Sequence, residues 1–159
     1  MVTLRGMTLY PLVFKAESES LAGIQTPWVS RASEQQGAEA TGDLKCAIPP
    51  EFEGPGAGSS PEDFFVLALL NCYIATLKVV AEKSKLSFEM LNGSASLTLD
   101  KNEAGTPSVK SVNLSFTVSG VLNEDRFTRM MERVSKQCMM INAVKCAVTF
   151  EFVVRAVDA

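Results

Sequence analysis

The chain has 159 residues, enough for one domain whose core stands without disulfide staples, and it contains no histidine. That absence removes Ser/His and Cys/His nucleophilic dyads, most catalytic zinc sites and imidazole acid–base work, leaving thiol redox, carboxylate chemistry or binding. With 15 Lys and Arg against 18 Asp and Glu, the formal net charge of −3 gives no electrostatic footprint for nucleic acid and no basic run for an anionic membrane surface.

The opening residues, Met1-Val-Thr-Leu-Arg-Gly, lack the apolar region and small-residue cleavage site of a secretory signal. A reducing cytoplasm is therefore expected, with the four cysteines as thiols. Residues 8–15 and 28–34 read as two strands joined by Ser/Glu/Gly-rich turn material. Residues 44–49 alternate weakly. Residues 49–60 are rich in Gly and Pro and read as a loop with neither ladder nor helix. Ser60, Pro61, Glu62 and Asp63 then have the grammar of a helix start: a capping hydroxyl, a proline at the first helical position and carboxylates in the first turn.

The segment 61–83 that follows is almost wholly apolar and long enough to raise the question of a membrane span. Asn71, Thr76 and Lys78 interrupt it and no aromatic belt flanks it, so it reads as a helix buried on nearly all sides within a protein core. Residues 87–99 and 108–118 alternate, with Ala95, Leu97 and Leu99 on one face of the first and Val112, Leu114, Phe116 and Val118 on one face of the second. Residues 100–105 supply the turn of this hairpin. Asn123 caps a second helix in which Phe127, Met130, Met131, Val134 and Cys138 recur at helical spacing, while Arg126, Arg129 and Arg133 mark the polar face. Residues 147–157 close the chain as a strand with Val148, Phe150, Phe152 and Val154 on one face. No repeat or domain boundary is visible, so residues 1–159 are expected to form a single α+β domain rather than a βαβα series. A helix this apolar needs covering on more than one side, which a second subunit would do.

Cysteine is among the most often buried residue types, so Cys72 and Cys138, taken singly, are packing residues by default. Cys46 and Cys146 sit in strand contexts and read as structural. Positions 46, 72, 138 and 146 contain no C-x2-4-C pair, which argues against a metal site, and no cofactor is expected. Tyr73, Met130, Met131 and Met140 line an apolar pocket on one reading and fill core on the other.

The segment Gly58-Ser-Ser-Pro-Glu-Asp-Phe-Phe-Val-Leu-Ala-Leu-Leu-Asn-Cys72 resembles the first cysteine segment of the OsmC/Ohr family of osmotically inducible and organic-hydroperoxide-resistance proteins. Lys136-Gln-Cys138-Met-Met-Ile-Asn-Ala-Val resembles that family's second cysteine segment, with Met139 where a proline commonly stands. The resemblance extends over residues 44–157. It implies an OsmC-like fold in which an intertwined homodimer wraps antiparallel and mixed sheets around a long buried central helix. It also implies a thiol peroxidase cycle: Cys72 attacks an organic hydroperoxide and becomes a sulfenic acid, and Cys138 condenses with it to a disulfide. A dithiol such as dihydrolipoamide then reduces the bridge. Glu62 and an arginine from the N-terminal strands complete the family's site, and Arg31 falls close to that arginine's position.

The residues themselves bear on these roles. Cys72 lies about three turns beyond the helix start, where the macrodipole no longer favours a thiolate, so it needs a cation from elsewhere. Arg31 is the first choice, because a guanidinium can pair with thiolate and carboxylate together, and Arg5 the second. Cys138, near a helix C-terminus, faces the negative end of a dipole and suits the resolving role. Glu62 is equally readable as an ordinary first-turn carboxylate, and Arg31 as a solvated strand residue. The rival function, from a different class, is a dimeric binding protein that holds a small apolar ligand with little or no peroxidase turnover.

Overall fold

The computed structural model describes residues 11–32 and 42–157. They form a mixed α+β structure with two three-stranded sheets and three α-helices, and divide into two compact units between Pro61 and Glu62.

In the first unit β1 (Ala16–Glu19), β2 (Trp28–Ala32) and β3 (Leu44–Cys46) form an antiparallel sheet in that order. Glu17 stands opposite Arg31, and Ser18 opposite Ser30 with their hydroxyls 2.7 Å apart. The first strand is therefore not where apolarity put it. Residues 8–10 lie outside the described residues, and residues 11–15 are not a strand; Leu12, Val13 and Phe14 are exposed. Pro11 has no N–H to give a ladder, and cross-strand pairing with β2 selects the polar run Ala16–Glu19 instead. The Gly/Pro-rich loop also holds more structure than its composition suggests. Pro50–Phe52 form a 3₁₀ turn, and Ser59 bridges to Cys46 through Ala47 N–H to Ser59 O at 3.1 Å and Ser59 N–H to Lys45 O at 2.9 Å. This close approach requires Gly58, because a Cβ there would lie 2.8 Å from the Lys45 carbonyl oxygen.

The second unit opens with α1 (Pro61–Ser84), followed by β4 (Met90–Lys101), β5 (Pro107–Val121), α2 (Glu124–Gln137), α3 (Met139–Ala143) and β6 (Ala147–Ala156). β5 is the central strand of the sheet, antiparallel to β4 and parallel to β6. A parallel pair needs a long crossover, and α2 with α3 supplies it. The alternation in β5 buries Val112, Leu114, Phe116 and Val118 completely, and Val148, Phe150, Phe152 and Val154 of β6 pack against the same core. Ala95 and Leu97 of β4 join them, but a register shift between Thr98 and Leu99 turns Leu99 outward.

The expected cap of α2 is present: the Asn123 side chain accepts the Arg126 N–H at 2.8 Å, and Phe127, Met130, Met131 and Val134 are buried. α1 buries Leu69, Tyr73, Leu77 and Ala81, a single stripe at i, i+4 spacing, whereas Leu67 and Val79 are exposed. One chain thus encloses one face of this helix, and coverage on nearly all sides is not reached within it. α1 is long and apolar enough to cross a membrane by length and composition, and its buried stripe belongs to the main core cluster.

Candidate active site

Cys72 sits midway along α1, half-buried and one residue before the buried stripe position Tyr73. Cys138 closes α2 and precedes α3, with φ −69° and ψ 118°, and is fully buried. The two sulfurs, 66 residues apart in sequence, lie 2.7 Å apart, and both cysteines are free thiols. Cys138 donates to Cys72. No backbone rearrangement on the scale of an element separates this pair from a disulfide, whose bond is about 2.05 Å.

Burial pushes the Cys138 thiol up to about 11, and its hydrogen bond to Cys72 adds to the shift. The backbone N–H groups of Ile141 and Met140, at the start of α3, act in the opposite direction and are outweighed. Burial, and not the C-terminus of α2, is thus the first cause that disfavours a thiolate at Cys138.

Tyr73 ties α1 to α2 beside the pair. Its hydroxyl donates to the Met131 carbonyl of α2 at 3.0 Å, and its ring stacks on Phe116 at 4.2 Å with Phe150 and Phe152 behind it. Burial, and then the negative charge that Cys138 would carry, raises the phenol well above its ordinary range, so Tyr73 is a permanent donor. Tyr73 is thus a tether between helices as well as core. The signal for a tether was a lone tyrosine in an apolar helix, since a buried phenol usually finds a partner. Met130 and Met131 are core, and Met140 is half-exposed. Cys146 packs against the same core, and Cys46, in the first unit, donates its S–H to the Leu44 carbonyl.

Glu62 lies in the first turn of α1, with its Oε2 buried and without a hydrogen-bond partner among the described residues. α1 is continuous from Pro61, so Glu62 and Cys72 are roughly 15 Å apart along its axis and about 80° apart around it. Arg31 belongs to β2 of the first unit, where its Nε lies 3.2 Å from Asp43 Oδ1. Both members of that pair are largely exposed, and such pairs contribute roughly 0–1 kcal/mol, so Arg31 is not strongly held by it. Arg5 lies outside the described residues. Cys72 and Cys138 are thus brought together, while Glu62 and Arg31 stand on other parts of the chain.

Residues 54–153 match the family model described as OsmC-like protein. Over 45 residues the chain is 42% identical to the uncharacterized protein YmaD of Bacillus subtilis, a match spanning 28% of this chain and 30% of that protein. An OsmC-like protein of unknown function from Vibrio cholerae has a similar structure, with a TM-score of 0.72 at 20% identity over 90% of this chain and 100% of that one. An organic hydroperoxide resistance protein from Legionella pneumophila gives 0.68 at 20% identity over 95% and 100% of the two chains. The organic hydroperoxide resistance protein OhrB of Bacillus subtilis gives 0.62 at 17% identity over 90% and 98%. At these identities the likeness is one of fold.

Proposed function

The chain belongs to the OsmC-like protein family, and from that premise we propose that it is a thiol peroxidase reducing organic hydroperoxides through a two-cysteine cycle. The observation that carries this reading is the pair of free thiols Cys72 and Cys138 with sulfurs 2.7 Å apart. The names of the Legionella and Bacillus structural neighbours as organic hydroperoxide resistance proteins support the substrate class.

In the proposed cycle the Cys72 thiolate attacks the distal oxygen of ROOH, the O–O bond breaks, and RO⁻ takes a proton to leave as the alcohol. Cys72 is left as a sulfenic acid. The Cys138 sulfur then attacks the Cys72 sulfur, the sulfenic oxygen departs as water, and the disulfide forms. A small dithiol such as dihydrolipoamide restores both thiols by exchange and is itself oxidised to its cyclic disulfide. Arg31 is assigned to pair with the Cys72 thiolate, and Glu62 to orient Arg31 and the peroxide.

The active form is proposed as a homodimer of single-domain chains in the cytoplasm. Glu62, about 15 Å along α1 from Cys72, then serves the partner's Cys72 rather than its own, and the second copy covers the faces of α1 that one chain leaves open.

The test is treatment of reduced protein with one equivalent of cumene hydroperoxide, followed by peptide mapping and assay of the alcohol. Stoichiometric alcohol with a Cys72–Cys138 bridge is expected, with loss of both in Cys72→Ser and a trapped sulfenic acid in Cys138→Ser. A dominant bridge through Cys46 or Cys146, or undiminished peroxide consumption by Cys72→Ser, refutes the assignment. Absence of consumption by the reduced parent protein favours the binding-protein reading instead.

A further inference from the structure

The polar face of α2 carries three arginines that the peroxidase reading does not use. Arg126, Arg129 and Arg133 fall within an arc of about 60° at 100° per residue and span roughly 10 Å of helix. All three are exposed. Among the described residues none of the three guanidinium groups has a carboxylate within ion-pair distance or donates a hydrogen bond. Of the acidic residues of the same helix, Glu124 accepts the Ala156 N–H at 2.7 Å, and Asp125 and Glu132, four residues before and three after Arg129, are not within ion-pair distance of it among the described residues. Like charges at i, i+3 and i+4 spacing repel, a repulsion that Asp125 and Glu132 offset in part at Arg129, and Arg126 also stands in the first turn at the positive end of the dipole. The helix thus presents three arginines without ion-pair partners among the described residues, in a chain of net charge −3.

The stripe is one wall of a concavity of about 240 Å³ lined by Ser84, Leu86, Arg126, Arg129, Met130 and Arg133. Ser84 ends α1, Leu86 is half-buried and Met130 is buried in the core. Its lining therefore combines two apolar side chains, one serine and three arginines. That combination is selective. A solvated arginine face needs no hollow, and an apolar hollow needs no arginines. Guanidinium forks match phosphoryl oxygens bidentately, and the apolar side chains accept a small organic body.

We propose that this concavity binds a soluble phosphorylated small molecule, its phosphoryl group held by Arg126, Arg129 and Arg133 and its organic part resting on Leu86 and Met130. The site is separate from the thiol pair and does not depend on peroxidase activity.

The test is isothermal titration calorimetry of the reduced full-length protein with pyrophosphate and with phenyl phosphate, against sodium chloride and sodium acetate at equal ionic strength. Saturable binding of one equivalent per chain is expected for both phosphorylated probes and for neither control salt. Arg129→Ala and Arg133→Ala should each weaken it by about tenfold, as expected for loss of a charged hydrogen bond. Arg129→Lys, which keeps the charge but loses the fork, should fall between, and Lys101→Ala on β4 should bind as the parent does. Because the arginines are exposed, far-UV circular dichroism of the variants should match the parent, and a mismatch in Arg129→Ala transfers the test to Arg129→Lys. No saturable heat with either probe, equal response to chloride, or unchanged affinity in the Arg129→Ala/Arg133→Ala double variant overturns the proposal. So does retention on phosphatidic-acid vesicles without binding of the soluble probes.

Discussion

Replacing Tyr73 by Phe tests whether the thiol pair is held in place by packing between α1 and α2. The substitution keeps the ring that stacks on Phe116 and removes only the hydroxyl that donates to the Met131 carbonyl. Met131 is not among the last four residues of α2, so its carbonyl keeps an intrahelical N–H and is not orphaned. The cost is then the net value of one hydrogen bond, about 1 kcal/mol, rather than the larger penalty of an unsatisfied buried carbonyl. For a chain of this length that corresponds to roughly 2–4 °C in Tm. The functional effect should exceed the thermal one, because Tyr73 is the residue next to Cys72 and ties that point of α1 to the helix that ends at Cys138. Stopped-flow kinetics with cumene hydroperoxide should show an unchanged sulfenic-acid step and a several-fold slower disulfide step. Urea unfolding at fixed protein concentration gives the stability term separately. If Tyr73→Phe closes the disulfide at the parental rate while losing the expected stability, the tether does not position the thiols. If neither changes, the hydrogen bond itself is without consequence.

Gly93→Ala should destabilise the second unit by about 1–3 kcal/mol, because the added Cβ would lie 2.8 Å from Cε1 of the buried Phe116 ring and 3.0 Å from Cδ1 of the half-buried Leu70; a urea midpoint equal to the parent's contradicts this. Cys138 has a folded-state thiol raised to about 11 chiefly by burial, so the unfolded chain loses this proton first. Its contribution to stability is complete below about pH 8.5 and falls as pH rises towards the folded value. Urea midpoints measured across that range should decline less in Cys138→Ala than in the parent, and an equal decline removes Cys138 as the source. Mixing Cys72→Ser with Glu62→Ala under conditions that exchange subunits should regenerate one working site per heterodimer, and inactive heterodimers rule out the cross-subunit placement of Glu62.

Much of the second unit was legible in the sequence because its signals are local. Ser60-Pro61-Glu62-Asp63 marks the start of α1, Asn123 caps α2, and the alternation through Val112, Leu114, Phe116 and Val118 shows which face of β5 is buried. The first unit was less legible because pairing, not composition, decides its strands. β1 is a polar run selected by its register with β2, and the Gly/Pro loop gains its bridge to β3 from backbone groups that side-chain patterns do not report. The bulge at Thr98/Leu99 breaks an alternation that looks continuous in the sequence. The nearness of Cys72 to Cys138 was legible only through the family resemblance, since nothing in a separation of 66 residues specifies contact. The arginine stripe was visible, whereas the hollow beside it was not, because Ser84 and Leu86 reach it from the far end of α1.

The placement of the two thiols orders the proposed cycle more firmly than their chemistry does. Cys138 is fully enclosed at the junction of α2 and α3, and burial keeps it protonated at neutral pH. Cys72 is only half-buried, on a helix with one enclosed face. A peroxide arriving from outside therefore meets Cys72 first, and Cys138 reacts only with what Cys72 has become. Forming the bridge needs no buried charge to persist, because the Cys138 proton leaves with the departing sulfenic oxygen as water. The same burial that makes Cys138 a poor nucleophile towards solvent-borne oxidants leaves it competent towards a sulfur already in contact with it, 2.7 Å away.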